Sequence, residues 1–158
     1  MGDGNIACTA WTEPGSEIAI LVAMSAEDSL HLLSGTPLRA EPSRHFFGNV
    51  TRGPEGDRPF AHGFEALAAY CGQDSETGSE IDLTECGASL YAWNDRNIDG
   101  NIDIAELLTL QDLGVESLGD LRKTGKKDTC GNTFPFESHA ICSHGKCGTW
   151  LDVFFESR

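Results

Sequence analysis

One run of twelve residues constrains this chain more than any other: Asp95-Arg96-Asn97-Ile98-Asp99-Gly100-Asn101-Ile102-Asp103-Ile104-Ala105-Glu106. Asp95, Asn97 and Asp99 put short oxygen-bearing side chains at alternate positions, where they converge if the backbone winds round a common centre. Gly100 follows, at the point where such a winding must turn sharply and a β-carbon would obstruct. Asn101 would then offer its backbone carbonyl, Asp103 would act through a water, and Glu106 is long enough to bind through both oxygens. Ile102 is the apolar residue that would pin the loop to a core or to a partner loop. This is the spacing of a calcium loop, and it can supply the roughly six to eight oxygens at about 2.3–2.6 Å that a hard dication takes. The competing reading is an Asn/Asp/Gly-rich surface turn. Few such turns also carry a glutamate at the twelfth position and an apolar residue at the eighth.

Charge points the same way. Across 158 residues, 25 Asp and Glu stand against 11 Lys and Arg, a net charge of −14. Nucleic acid and anionic membrane surfaces call for a basic face, so neither is an expected partner. Acids are crowded between residues 74 and 106, where Arg96 is the lone base, and calcium would relieve the repulsion. The longest apolar run, residues 18–24, is strand-sized and far short of the ~18–20 residues of a membrane span. The opening Met1-Gly2-Asp3-Gly4 lacks the basic and apolar regions of a signal peptide, so any export signal is expected to be missing from this chain.

Six cysteines, at 8, 71, 86, 130, 142 and 147, suit disulfides and an oxidising, extracellular setting. Connectivity is open. Cys142 and Cys147 flank a hairpin-like turn, Cys71 and Cys86 bracket an acidic loop, and Cys8 with Cys130 would remain. The C-terminal cluster Cys130, His139, Cys142, His144 and Cys147 also admits a zinc-binding or hydrolytic alternative, although its spacing is not that of a standard finger. No catalytic motif is recognisable: there is no Gly-x-Ser-x-Gly elbow, and His45 beside Phe46 reads as a packed or surface histidine.

Along the chain, residues 1–16 read as irregular and 17–24 as a buried strand. Ser25 to Asp28 form a capping box for a helix ending near Leu33, and residues 36–60 form a long loop holding the apolar knot Arg44-His45-Phe46-Phe47-Gly48-Asn49. A helix is expected over 61–70. Residues 74–85 read as a degenerate second calcium loop, with Asp74, Glu76, Asp82 and Glu85 as its oxygens and Ile81 able to pair with Ile102. Helices are expected to enter the intact loop over 83–93 and to leave it over 104–110. A strand over 115–118, a basic turn over 120–132 and short β runs over 133–137, 140–143 and 149–155 complete the reading.

These pieces resemble a family of calcium-binding modules in large secreted bacterial proteins, described as EF-hand or hemolysin-type. The likeness is carried by Phe47-Gly48-Asn49, Gly63-Phe64-Glu65-Ala66-Leu67-Ala68, Trp93-Asn94-Asp95 through Glu106-Leu107, Leu113-Gly114-Val115-Glu116-Ser117-Leu118, Gly131-Asn132-Thr133-Phe134 and Trp150-Leu151-Asp152-Val153-Phe154-Phe155. It implies calcium-dependent structure in an exported protein rather than a reaction. The further calcium sequence that members carry before the Phe-Gly-Asn element has no counterpart over residues 24–44. The expectation is therefore a single α+β domain over 1–158. Short helices would flank an EF-hand-type loop in a core over 61–118, and small antiparallel elements and a C-terminal β-hairpin would close it over 119–158. Calcium would be held by Asp95, Asn97, Asp99, Asn101, Asp103 and Glu106, outside the cell or at its surface, with an extracellular protein or surface as partner and no membrane insertion.

Overall fold

The computed structural model describes residues 19–48, 60–74, 79–86, 89–127 and 131–151. Ile20–Ala23 forms β1, where apolar residues pair antiparallel with β4, Leu90–Trp93. Ser25 then caps α1, Ala26–Leu33, through the expected box: the Asp28 N–H donates to Ser25 Oγ, and Asp28 Oδ2 accepts from the Ser25 N–H at 3.0 Å. β2, Leu38–Arg39, and a single-turn α2, Pro42–His45, follow. The apolar knot docks through a bridge between Phe46 and Val22 and through stacking of Phe46 on Trp93. After α3, Gly63–Tyr70, come β3, Ile81–Asp82, then β4, then β5, Asn101–Ile102. A 3-10 turn over Ile104–Glu106 leads to β6, Leu107–Thr109, and to a one-turn α4, Leu110–Leu113. The chain closes with β7, Val115–Lys127, β8, Thr133–Cys142, and β9, Gly145–Leu151.

Among the described residues three antiparallel sheets result, ordered β1-β4-β6, β2-β5 and β3-β7-β8-β9. The architecture is therefore mainly β, and the expected α+β arrangement with helices flanking the loop does not form. Residues 83–93 cannot be the entering helix for two reasons. Cys86 is tied to Cys71, the C-cap of α3, with their Cα atoms 5.3 Å apart, and Asp82 Oδ1 turns the chain by accepting from both the N–H and the hydroxyl of Thr84. What remains, Leu90–Trp93, alternates into a buried central strand. The exit helix over 104–110 is likewise a 3-10 turn that opens into β6, which pairs with β4.

Two groups of buried side chains hold the layers. One joins α3 to the four-stranded sheet through Phe64, Leu67, Ile81, Leu83, Leu90, Leu118 and Leu121. The other packs Val22, Met24, Leu32, Trp93 and Ile102 under the twelve-residue loop. The basic residues over 120–127, expected in a turn, instead extend β7, with Lys123 opposite Phe136 and Lys126 opposite Phe134. Register shifts between Gly119 and Arg122 and between Lys123 and Lys126 bend the strand.

Candidate metal loop and its surroundings

The loop over 95–106 is the connection of a β-hairpin. Trp93 pairs with Leu107, and the Asn94 N–H donates to the Glu106 carbonyl at 3.0 Å, so the hairpin ladder closes the loop at its base. Inside it the side-chain oxygens turn back onto the loop's own backbone. Asp95 accepts from the N–H groups of Asp99 at 3.2 Å and Gly100 at 3.0 Å. Asn97 Oδ1 accepts from the Asp99 N–H at 3.0 Å, and Asp99 Oδ1 from the Asn101 N–H at 2.8 Å. Gly100 sits at φ 69°, where a β-carbon would meet nothing within 4 Å, so the left-handed backbone and not the expected obstruction calls for glycine. Asp103 caps the 3-10 turn by accepting from the Ala105 N–H at 3.0 Å.

Glu106 is the buried member of the set, 6% exposed. Its carboxylate accepts from the indole N–H of Trp93 at 3.3 Å and from the Arg96 N–H at 3.1 Å. A carboxylate in that position needs partners, and two N–H groups leave lone pairs over for a cation. The donor set fits calcium chemically, because every candidate is an oxygen. Among the described residues, however, no three His, Cys, Asp or Glu side chains stand close enough together to hold a metal.

Ile102 is fully buried, and its strand pairs with β2: Leu38 faces Ile102 and Arg39 faces Asn101, extended by the Ala40 N–H donating to the Gly100 carbonyl at 3.0 Å. The short two-stranded contact expected for Ile102 thus exists, but with Leu38. Ile81 pairs with Leu118 instead. The segment over 74–85 is correspondingly built into the other sheet. Asp82 is exposed in β3, where the Gln73 side chain donates to its carbonyl at 2.7 Å and accepts from its N–H at 2.8 Å, in the manner of a neighbouring strand. The hydroxyl and N–H of Thr84 hold the Asp82 carboxyl below its usual range. Asp74 and Glu85 are exposed, and Glu76 lies outside the described residues.

The cysteines pair as Cys71–Cys86 and Cys142–Cys147, which fits an oxidising compartment. Cys8 and Cys130 lie outside the described residues. The second pair takes two sulfurs from the zinc alternative. His139 faces Arg122 and Asp120 rather than a cluster of ligands. No described helix is long and apolar enough to cross a membrane.

Sequence reasoning left His45 packed or on the surface and did not foresee the buried aspartate facing it, beside the strand that pairs with the loop. Asp28 is 4% and His45 1% exposed. Asp28 accepts from Arg44 at 2.8 Å and from the Ser25 hydroxyl at 2.7 Å. His45 Nδ1 accepts from the Glu41 N–H at 2.9 Å, so its proton is on Nε2, which points at Asp28 Oδ2 from 3.6 Å. Burial works against the Asp28 charge, yet the Ser25 hydrogen bonds and Arg44 bring its carboxyl below the usual range. Burial holds the His45 imidazole below its usual range despite the facing carboxylate. The signal in the sequence was the pairing of a capping-box aspartate with a distant Arg-His, which no local pattern reveals.

The SPM domain family matches residues 39–156 of the chain. That span takes in the loop, both described disulfides and the whole four-stranded sheet, and begins at Arg39, the second residue of β2. No curated protein matches the sequence. The likeness to calcium-binding modules is carried by the residues quoted above and by nothing in these matches.

Proposed function

We propose that this chain, which belongs to the SPM domain family, is a calcium-stabilised module of an exported protein that presents an interaction face. One observation carries the reading: the loop over 95–106 winds its Asp95, Asn97 and Asp99 oxygens inward around a left-handed Gly100, with Glu106 buried at its base. Asp95, Asn97, Asp99, Asp103 and Glu106 would hold the ion with side chains, and Asn101 with its backbone carbonyl. The host is a β-hairpin braced by β2, not a pair of helices. Uptake of calcium would draw these oxygens together, as is usual where binding and ordering are coupled. The ion would neutralise an acidic loop and tie β4, β5 and β6 into one unit. Outside a cell, where calcium is millimolar, even a weak loop would stay loaded. The two described disulfides are consistent with that location. An interaction role rather than a reaction follows from a site whose oxygens the ion would occupy.

The test is calcium titration calorimetry on chelator-stripped protein, read together with tryptophan emission. The Glu106 carboxylate is bonded to the Trp93 indole, so its movement should change emission in wild type and not in Trp93→Phe. Heat with a saturating emission change is the expected result. Absence of both, at millimolar calcium, would remove the calcium reading.

A further inference from the structure

Two consecutive backbone amides join the 95–106 loop to a buried histidine. The Ala40 N–H donates to the Gly100 carbonyl at 3.0 Å, and the next, the Glu41 N–H, donates to His45 Nδ1 at 2.9 Å. The His45 N–H in turn donates to the Glu41 carbonyl at 2.9 Å. Ring and backbone of one residue thus hold both polar groups of the Glu41 main chain and close the single turn of α2. The acceptor lone pair of the imidazole is the one that Glu41 uses. The other ring nitrogen, Nε2, carries the proton, is buried, and has no hydrogen-bond partner among the described residues. It faces Asp28 Oδ2 from 3.6 Å.

A proton can add to this ring only at Nδ1. There it would turn the acceptor of the Glu41 N–H into a second donor, so charging the ring breaks that bond. Asp28 on α1 and the Glu41 carboxylate favour the charge, while Arg44 and burial oppose it. β1, packed against α2, is Ile20–Ala23 and brings no charged group. Burial is the largest of these influences and holds the imidazole below its usual range, so the bond is closed at neutral pH. Acid favours any state in which the ring has left Glu41 and met water.

We infer that His45 is an acid-operated latch on the brace of the 95–106 loop: its protonation releases Glu41, and with it the Ala40–Gly100 bond and the pairing of β2 with β5. The latch itself needs no metal. Its consequence for calcium rests on the reading proposed above. The brace meets the loop at Gly100, Asn101 and Ile102, between the oxygens of Asp99 and Asp103, so its release would loosen the frame on which the ion is held. Proton and calcium would then oppose each other, reciprocally, as coupling between two sites requires.

The experiment is amide hydrogen exchange by NMR on the full chain in chelator, from pH 7.5 to 5, each rate divided by the intrinsic rate at that pH. The His45 ring is titrated in the same samples. Protection at Ala40 and Glu41 is expected to fall together, by up to about tenfold per pH unit, as pH drops from about 6.5 toward the His45 midpoint. Both should exchange well ahead of Leu83, whose N–H is bonded to the Glu116 carbonyl beside the other sheet. His45→Asn offers a side-chain carbonyl in place of Nδ1 and does not titrate, so protection in it should not follow pH. His45→Phe has no acceptor there, and its Ala40 and Glu41 amides should already be open at pH 7.5. Ala40 protection that holds through the His45 midpoint, or that falls equally in His45→Asn, would overturn the latch. So would Ala40 protection equal to that of Leu83 at every pH, which would make opening a global event. Calcium calorimetry at pH 7.5 and 5.5 adds the coupling: affinity should weaken roughly fivefold more in wild type than in His45→Asn. Equal weakening, in protein that gives calcium heat, would overturn the link to the loop. In protein that gives no heat the exchange data decide alone, so the latch and the calcium reading fail separately.

Discussion

Glu106 has two separable roles, and replacing it should expose both. Without metal, its buried carboxylate is the acceptor for the Trp93 indole and the Arg96 amide. Hydrogen bonds to a charged group contribute roughly 1.5–3 kcal/mol each, and one of these is partly exposed, so Glu106→Ala should cost about 2–4 kcal/mol. Glu106→Gln keeps one acceptor oxygen while turning an amide N–H toward a donor, and should cost about 1–2 kcal/mol. In a domain of this size a kilocalorie moves the melting temperature by about 2–4 °C. Calcium adds the second role. At free calcium a hundred times its dissociation constant, binding stabilises by about 2.7 kcal/mol, or roughly 5–11 °C in the wild type. The assay is a thermal melt of wild type and Glu106→Gln, each in calcium and in chelator. In chelator the variant should melt a few degrees lower, and calcium should raise the wild type by the full increment and the variant by little. An equal calcium increment in both proteins would remove Glu106 from the ligand set. No increment in either, with the chelator difference intact, would reduce Glu106 to the residue that closes a hairpin.

His45 sets an acid limit. The unfolded imidazole gains a proton near 6.5 while the buried one resists, so the unfolded state binds more protons and stability falls as pH drops below about 6.5 toward the depressed folded value. The slope is at most about 1.4 kcal/mol per pH unit, and urea melts between pH 7.5 and 5 should show it flattened in His45→Phe. Asp28, whose folded carboxyl lies below its ordinary 3.8, should withdraw its own contribution only as pH falls through that lower range. Of the two described disulfides, Cys71–Cys86 spans 15 residues and Cys142–Cys147 only 5. Paired serine replacement should therefore cost about 3 kcal/mol at the first and about 2 kcal/mol at the second, measured by urea denaturation, with the reverse order counting against loop-closure entropy as the cause. Gly100→Ala, at φ 69°, should lose about 1 kcal/mol in chelator and more in calcium, read from the same melts.

Whether a feature was legible in the sequence follows from how far its partner lies along the chain. The Ser25 capping box is local, and it forms. Gly114 stops α4 at φ 71° for the same reason. The two described disulfides close across short spans that the sequence brackets. The winding of Asp95, Asn97 and Asp99 round Gly100 is local too, each oxygen accepting from a backbone N–H within five residues. Its setting was not forecast, because a strand is defined by what lies beside it. Leu90–Trp93 looks as apolar in a helix as in a sheet, and only Ile20–Ala23 on one side and Leu107–Thr109 on the other make it a central strand. The basic run over 122–127 has the composition of a turn, and it is held in β7 by Phe134 and Phe136 from the facing strand. Ile102 was expected to meet Ile81 because both stood at the eighth place of a loop. Yet Gln73 and Leu118 had already taken the Ile81 strand, which left Leu38, in a segment with no metal-binding pattern, as the brace of the loop. The consequence is mechanical: β2 runs through Ala40 into α2 and the buried His45–Asp28 pair. What stiffens the loop from outside is thus a polar cluster about fifty residues upstream, and the loop's order should respond to acid through His45 as well as to calcium through Glu106.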